Sequence, residues 1–285
     1  ETEYIISPVR KLAKDAALNL KLSTKYPELQ PIVELLNNRN REVAEQFKEL
    51  SEEKELVERA QRSKNDFIAN ITHEMNTPLT SIRGYSELLA SGVLNGEQTK
   101  TAADTLVKQS DRLSNLIACI INYNEIDNDE LPDYEVNISK LASETLDSLA
   151  PDIAKRNISL TKDIDADVMI MSRHERLSEV LGNLIRNAIR YNKENGSLFV
   201  GIKRKDTGGI RLTVTDTGIG IAEENLERIF ERFFTVDKSH SGKNGGFGLG
   251  LAVVKKICRK AGWTLHVQSV LGEGTTFTVD FNNKD

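Results

Sequence analysis

Four short segments in the second half of this chain carry groups that could hold a nucleotide. NLIRNAIRYN places Asn183 and Asn187 four residues apart, on one face of a helix. An Asn carbonyl is a hard oxygen ligand that suits Mg²⁺ held together with triphosphate oxygens and waters. DTGIGI sets Asp216 at a strand end, followed by Gly218 and Gly220. That carboxylate can accept a hydrogen bond from an exocyclic amine, and the glycines allow close backbone approach. GGFGLGLAVVKK has glycines at 245, 246, 248 and 250 before an apolar helix. A glycine-rich turn feeding a helix N-terminus offers free N–H groups and a positive dipole end to phosphate. GEGTTF, residues 272–277, is a tight turn into a last strand. Taken singly, each has a bland reading: Asn pairs solvate helices, D-x-G makes turns and Gly-rich turns connect elements. All four in this order within one domain do not.

A fifth feature lies upstream. His73 and Glu74 stand together in FIANITHEMNTPLTSIRGYSELL, residues 67–89, with Thr77-Pro78 one turn further on. Ile68, Ile71, Met75, Pro78, Ile82, Tyr85 and Leu89 alternate spacings of three and four, the seam of a helical bundle. His73, two residues from Ile71 and from Met75, points roughly 160–200° away from that seam, toward water. Pro78 lacks an N–H and crowds the carbonyl of residue 74, so a kink is expected near Glu74. After SGVLNG a second amphipathic helix is predicted over 97–124, with Ala103, Leu106, Ser110, Leu113, Leu116, Ile117 and Ile120 on its inner face. One such hairpin buries its stripes poorly and two bury them well. The pattern therefore predicts an antiparallel helical hairpin that forms a dimeric four-helix bundle, a homodimer.

These elements must be positioned by the rest of the chain. From Val43 to Met75 there is no Gly or Pro, and Val43, Phe47, Leu50 and Val57 recur at heptad spacings, predicting a coiled-coil linker helix over 41–64. The hairpin then occupies 65–128. From 133 to 285 the texture alternates. Helices are predicted at 139–156, 173–191 and 253–261, and strands at 158–162, 167–171, 197–205, 209–216, 264–269 and 275–281: an α+β sandwich of ordinary domain size. A P-loop and a Rossmann fingerprint are both absent from the sequence. The 285 residues carry a net charge of −5 with interspersed signs, which argues against a nucleic-acid partner. Cys119 and Cys258 lie far apart in apolar helical patterns and read as buried, reduced thiols. No apolar run spans a bilayer, and the opening ETEYIISPVRKL without an initiator Met reads as a piece of a longer protein.

Together the segments resemble the N, G1, G2 and G3 boxes of the ATP-binding domain of sensor histidine kinases, the Bergerat or GHKL fold shared with gyrase and Hsp90-type ATPases. IFERFF, residues 229–234, resembles the F box. The stretch around His73 resembles the H box of the dimerisation and histidine-phosphotransfer domain. Residues 1–40 resemble, more loosely, a membrane-proximal HAMP-like signal module. The resemblance implies ATP and Mg²⁺ as cofactors and His73 as phosphoacceptor, with Glu74 holding the other ring nitrogen and taking up its proton. It implies that Asn187 holds Mg²⁺ with Asn183 beside it, that Asp216 binds the adenine amine and that Tyr191 packs on the ring. Arg190 and Lys238 lie near the phosphates, and Gly218, Gly220, Gly246, Gly248, Leu249, Gly250 and Thr276 complete the contacts. Residues 236–245 are the expected mobile lid. Thr77 stands where the family orients a water for dephosphorylating its partner, the receiver domain of a response regulator. The implied location is the cytoplasmic face of a bacterial membrane, with a membrane-anchored parent and this stretch soluble.

Two departures stand out. Met75-Asn76 replaces the usual Leu-Arg, and Thr235 replaces an arginine that often reaches the γ-phosphate, a charge no hydroxyl replaces. Arg232, Lys238 and Lys243 are the cations near enough in sequence to compensate. Three other readings stay open on the sequence: a phosphatase-biased weak kinase, a nucleotide-binding scaffold without turnover, and a gyrase- or Hsp90-like ATPase, which leaves the H box unexplained.

Overall fold

The computed structural model describes residues 27–127, 132–206, 208–235 and 246–282. Most of the HAMP-like segment and the expected lid, with Lys238, His240 and Lys243, lie outside the described residues. The chain divides into two compact units, Glu1–Ala69 and Asn70–Asp285.

In the first unit a 3-10 turn, Pro27–Leu29, leads into α1, Gln30–Ala90. Val33 is buried, with Leu29 and Leu36 packed on it. Beyond it the heptad residues Val43, Phe47, Leu50 and Val57 are all exposed. Short ion pairs such as Lys54–Glu58 (3.7 Å) and Arg62–Glu58 (3.4 Å) run along the solvated faces, each contributing about 0.3–0.5 kcal/mol.

In the second unit α1 continues through Pro78 as an uninterrupted helix and Pro78 is buried, as the seam predicts. The chain turns at Gly92 and enters α2, Gly96–Glu125. A capping box opens α2: Asn95 Oδ1 accepts from Gln98 N–H, and Gln98 Oε1 accepts from Asn95 N–H, both at 3.0 Å. Ala102 and Leu116 are fully buried on its inner face. The expected inner residues Ala103, Ser110 and Ile117 face outward instead. The broad apolar band of α2 is shared between two stripes, and the intramolecular partner covers only one.

The remaining elements are β1 (Tyr134–Asn137), α3 (Ile138–Ser148), α4 (Ala150–Lys155), β2 (Ser159–Ile164), β3 (Met169–Ser172), α5 (His174–Arg190), β4 (Ser197–Arg204), β5 (Ile210–Asp216), α6 (Gly250–Ala261), β6 (Thr264–Val270) and β7 (Gly274–Phe281). β1 and β3 pair antiparallel. The main sheet runs β2-β4-β5-β7-β6 and is antiparallel except for β2–β4. Its inward residues Leu198, Val200, Ile202, Leu212, Val214, Phe277 and Val279 meet α3, α5 and α6, giving one continuous core. The helix expected over 139–156 is two helices, because Pro151 at the start of α4 has no N–H to continue α3. β1, a four-residue strand, is missed by sequence patterning. Trp263 packs edge-on against Phe281 at 4.7 Å. Cys258 is buried, which pushes its thiol up to about 12. Cys119 is only half-buried, a correction to the sequence reading.

Candidate active site

α5 is amphipathic in a way that builds the site. Leu177, Val180, Leu181, Leu184, Ile185, Ala188 and Ile189 face the sheet. This turns Glu179, Asn183, Arg186, Asn187 and Arg190 toward a cavity of about 940 Å³. Tyr191, Gly246, Gly248, Leu249 and Gly250 also line it, and Asn115, Cys119 and Asn122 of α2 form its other wall. Gly250 lies against Asn183, where a Cβ would stand 2.9 Å from the carboxamide oxygen. Gly246 lies against the Arg190 guanidinium. Gly248 has φ +67°, and a Cβ there would meet the Phe233 backbone at 2.7 Å. This turn is therefore seated on the F-box segment, and Phe233 N–H donates to the Gly248 carbonyl at 3.0 Å. Leu249 is the N-cap of α6 and makes no side-chain cap, which leaves first-turn N–H groups for an anion.

Asp216, Gly218 and Gly220 are not among the cavity lining: Gly218 adjoins the lining residue Tyr191, whereas Gly220 lies against the Val270 carbonyl. Gly218 passes so close to the Tyr191 carbonyl that any Cβ would overlap it, and Ile219 N–H donates to the same oxygen at 3.0 Å. Asp216 is buried and accepts from Gly218 N–H at 2.8 Å. Burial pushes its carboxyl above the usual range, against the opposing pull of the Gly218 and Thr275 N–H groups. A buried acceptor with two backbone donors and spare lone pairs fits an amine donor such as the adenine amino group.

Thr276 does not join this set. β7 alternates sides, so Thr276 shares the outer face of the sheet with Thr215, at 3.0 Å between hydroxyls, while Asp216 points inward. The buried neighbour on the inner face is Thr275, whose hydroxyl pairs with Ser269 at 2.8 Å. Sequence reasoning also missed Asn192 and Thr217. Asn192 is buried, donates to the Ser197 carbonyl at 3.0 Å and accepts from Thr217 Oγ1 at 3.3 Å, tying the end of α5 to the loop after Asp216. An Asn directly after the NLIRNAIRY run and a Thr directly after Asp216 were the only available signals.

On the hairpin, His73 is exposed, as its position off the seam predicts. Glu74 does not meet it as expected: its Oε2 accepts from Arg112 of α2 at 3.2 Å. The Arg112 guanidinium also lies 5.7 Å over the ring of Phe247 in the glycine-rich turn. Thr77 Oγ1 donates to the His73 carbonyl at 3.3 Å. In the cavity, burial first and the nearby Glu125 charge push Glu179 upward against Arg176 and Arg186, and its Oε2 has no hydrogen-bond partner. Arg232, a candidate substitute for the missing arginine, stacks over Tyr123 of α2 at 5.7 Å.

Comparison with known proteins adds to this geometry. Residues 63–129 match the His Kinase A (phospho-acceptor) domain, and residues 172–285 match the histidine kinase-, DNA gyrase B-, and HSP90-like ATPase family. The sensor-like histidine kinase SenX3 of Mycolicibacterium smegmatis is 33% identical over 223 residues, covering 78% of this chain and 58% of SenX3. The chain belongs to the sensor histidine kinases. Full-length ShkA, solved in complex with AMPPNP, matches at 26% identity and a TM-score of 0.57 over 76% of this chain and 45% of ShkA. Histidine kinase ThkA, solved with the response regulator protein TrrA, shares the fold at 24% identity and a TM-score of 0.63, over 82% of this chain and 66% of ThkA. A helical hairpin followed by an α/β sheet ATP-binding domain is thus the family architecture. The chain spans little more than half the length of the first curated relatives it matches. No helix among the described residues is long and apolar enough to cross a membrane.

Proposed function

We propose that this chain is the kinase portion of a sensor that transfers the γ-phosphoryl group of Mg-ATP to His73 and then to a response-regulator aspartate. The observation that supports it best is the shared cavity: Asn183, Asn187 and Arg190 face the Gly246–Gly250 turn, and the hairpin that carries His73 supplies the opposite wall. Asn187 and Asn183 fit Mg²⁺ and phosphate oxygens, and the α6 N-terminus and Arg190 fit the phosphates. When bound, Mg²⁺ neutralises triphosphate charge. Asp216 orients adenine, with Tyr191 at the ring. A neutral His73 nitrogen attacks the γ-phosphorus in line; an N–P bond forms and the bond to the β–γ bridging oxygen breaks, releasing ADP. Glu74, held at Oε2 by Arg112, keeps Oε1 for the proton leaving the other ring nitrogen.

The remaining parts follow the same reading. Residues 41–64 are a coiled-coil linker, 65–128 the dimerisation and phosphotransfer domain and 133–285 the ATP-binding domain. Two hairpins pair into a four-helix bundle through the outward stripe of α2. The parent protein is anchored in a bacterial membrane with this portion on the cytoplasmic side. Thr77 positions water for a phosphatase step on the regulator. A phosphatase-biased variant of this reading is favoured by one observation, Arg232 stacking on Tyr123 while Thr235 lacks a charge. Incubation with Mg²⁺ and γ-labelled ATP tests both. Acid-labile label absent from His73→Ala supports the kinase, and a faster Thr235→Arg variant identifies Thr235 as a brake. No label in any variant, with ATP still bound, overturns the kinase in favour of the phosphatase or scaffold.

A further inference from the structure

α6 has two working ends. Its N-terminus opens from the glycine-rich turn at Gly250, and its second half presents Lys256 and Lys260 to the C-terminal end of α2. Lys256 is buried, yet its ammonium has three partners from α2 and the residues just beyond it. It donates to the Tyr123 carbonyl at 2.6 Å, pairs with the Asp127 carboxylate at 2.7 Å and lies 3.9 Å over the Tyr123 ring. Lys260 donates to the Ile126 carbonyl at 2.6 Å and the Asp127 carbonyl at 2.9 Å. The last carbonyls of a helix have no partners within it and carry the negative end of its dipole, so two ammonium groups there satisfy both hydrogen bonding and charge. Arg232 adds a second cation to the Tyr123 ring. Ile126 itself is fully buried in the core of the ATP-binding domain.

We propose that Lys256 and Lys260 form a cationic latch that seats the ATP-binding domain on the end of α2, and that they are positioning residues for phosphoryl transfer to His73. The positioning role rests on the kinase reading above. α6 acts as a strut: one end carries the phosphate-facing turn, the other grips the hairpin. The same seat sets Phe247 of that turn over Arg112, the residue that pairs with Glu74, the sequence neighbour of His73. Releasing the latch therefore leaves the nucleotide site whole and removes its registry with the H box.

The test uses Lys256→Met/Lys260→Met together, with Asp127→Lys as a variant that breaks the latch from the α2 side without touching the ATP-binding core. Amide hydrogen exchange over 120–127 is expected to quicken about tenfold or more, as for loss of hydrogen bonds to a charged donor, while β4, β5 and β7 keep their protection. Mg-ATP affinity should stay within about twofold of wild type, and the initial rate of His73 labelling should fall about tenfold or more. Unchanged exchange at 120–127 in both variants overturns the seat. Faster exchange with an unchanged labelling rate overturns the positioning role. A wild-type protein that takes no label overturns the kinase reading and the positioning role with it, while the exchange result still decides the seat.

Discussion

From Val136 to Phe281 the inward residues of the strands and the helices that cover them close into one core, with Val168, Leu177, Leu184, Val200 and Val279 fully buried. The hairpin from Asn70 to Glu125 buries only Pro78, Ala102 and Leu116, while Val107, Ile117 and Ile121 stay exposed along one stripe of α2. A sheet covered by helices can seal apolar surface within one chain, but two helices have more apolar width than they can cover for each other. The nucleotide-binding half thus holds its own geometry, and the half bearing His73 depends on what packs against it.

The largest expected effect breaks that contrast at its weak side. Val107→Glu with Ile117→Glu should weaken self-association about 100-fold or more, since buried charges would face each other across an apolar seam. Sedimentation equilibrium should show monomers, with nucleotide affinity unchanged. A wild type already monomeric at micromolar concentration would mean the exposed stripe serves another purpose. Next comes the self-sufficient side. Asp216→Asn should weaken nucleotide binding about 10- to 100-fold, the scale of a hydrogen bond involving a charged group, without altering oligomeric state. Its pH dependence sharpens the point. Burial raises the Asp216 carboxyl, so wild-type affinity should decline on acidification above the ordinary aspartate range. Asp216→Asn should lack that decline in titration calorimetry. The same raised value makes the nucleotide-free fold bind a proton more tightly than the unfolded chain, so this group favours folding as pH falls.

The smallest effect lies on the outer face of the sheet. Arg211 grips Asp280 through two hydrogen bonds of 2.8 Å, with Lys205 at 3.5 Å, and the Arg211 guanidinium holds this carboxyl below the usual range. A depressed folded value gives stability that is present above the unfolded aspartate range and lost as pH falls below it. Asp280→Asn should lower Tm by a few degrees at pH 7, and the difference from wild type should vanish in acid. An equal difference at every pH would assign the effect to packing rather than charge.

Local pattern made much of this legible. The three-and-four spacing around Pro78 placed His73 on the solvent side of its helix, and the Asn183–Asn187 spacing put both carboxamides on one face. The glycines before Val253 marked a tight turn, and a Cβ at Gly246, Gly248 or Gly250 would crowd Arg190, Phe233 or Asn183. Patterning failed where a residue's role depends on a partner distant in sequence. The sheet register that separates Thr275 from Thr276 is set by pairing with β5, and a one-residue shift moves a side chain to the opposite face. The Asn192–Thr217 tie joins residues 25 apart. Which α2 stripe turns inward was settled by the packing of Ala102 and Leu116.

The sequence by itself determined most of the element types, the shared face of Asn183 and Asn187 and the exposure of His73, because helix period, strand alternation and glycine geometry act over a few residues. Only the tertiary structure decided that Glu74 pairs with Arg112, that Arg232 stacks on Tyr123 and that Lys256 and Lys260 grip the end of α2. Those partners lie on different elements, and no short-range pattern records which surfaces folding brings together.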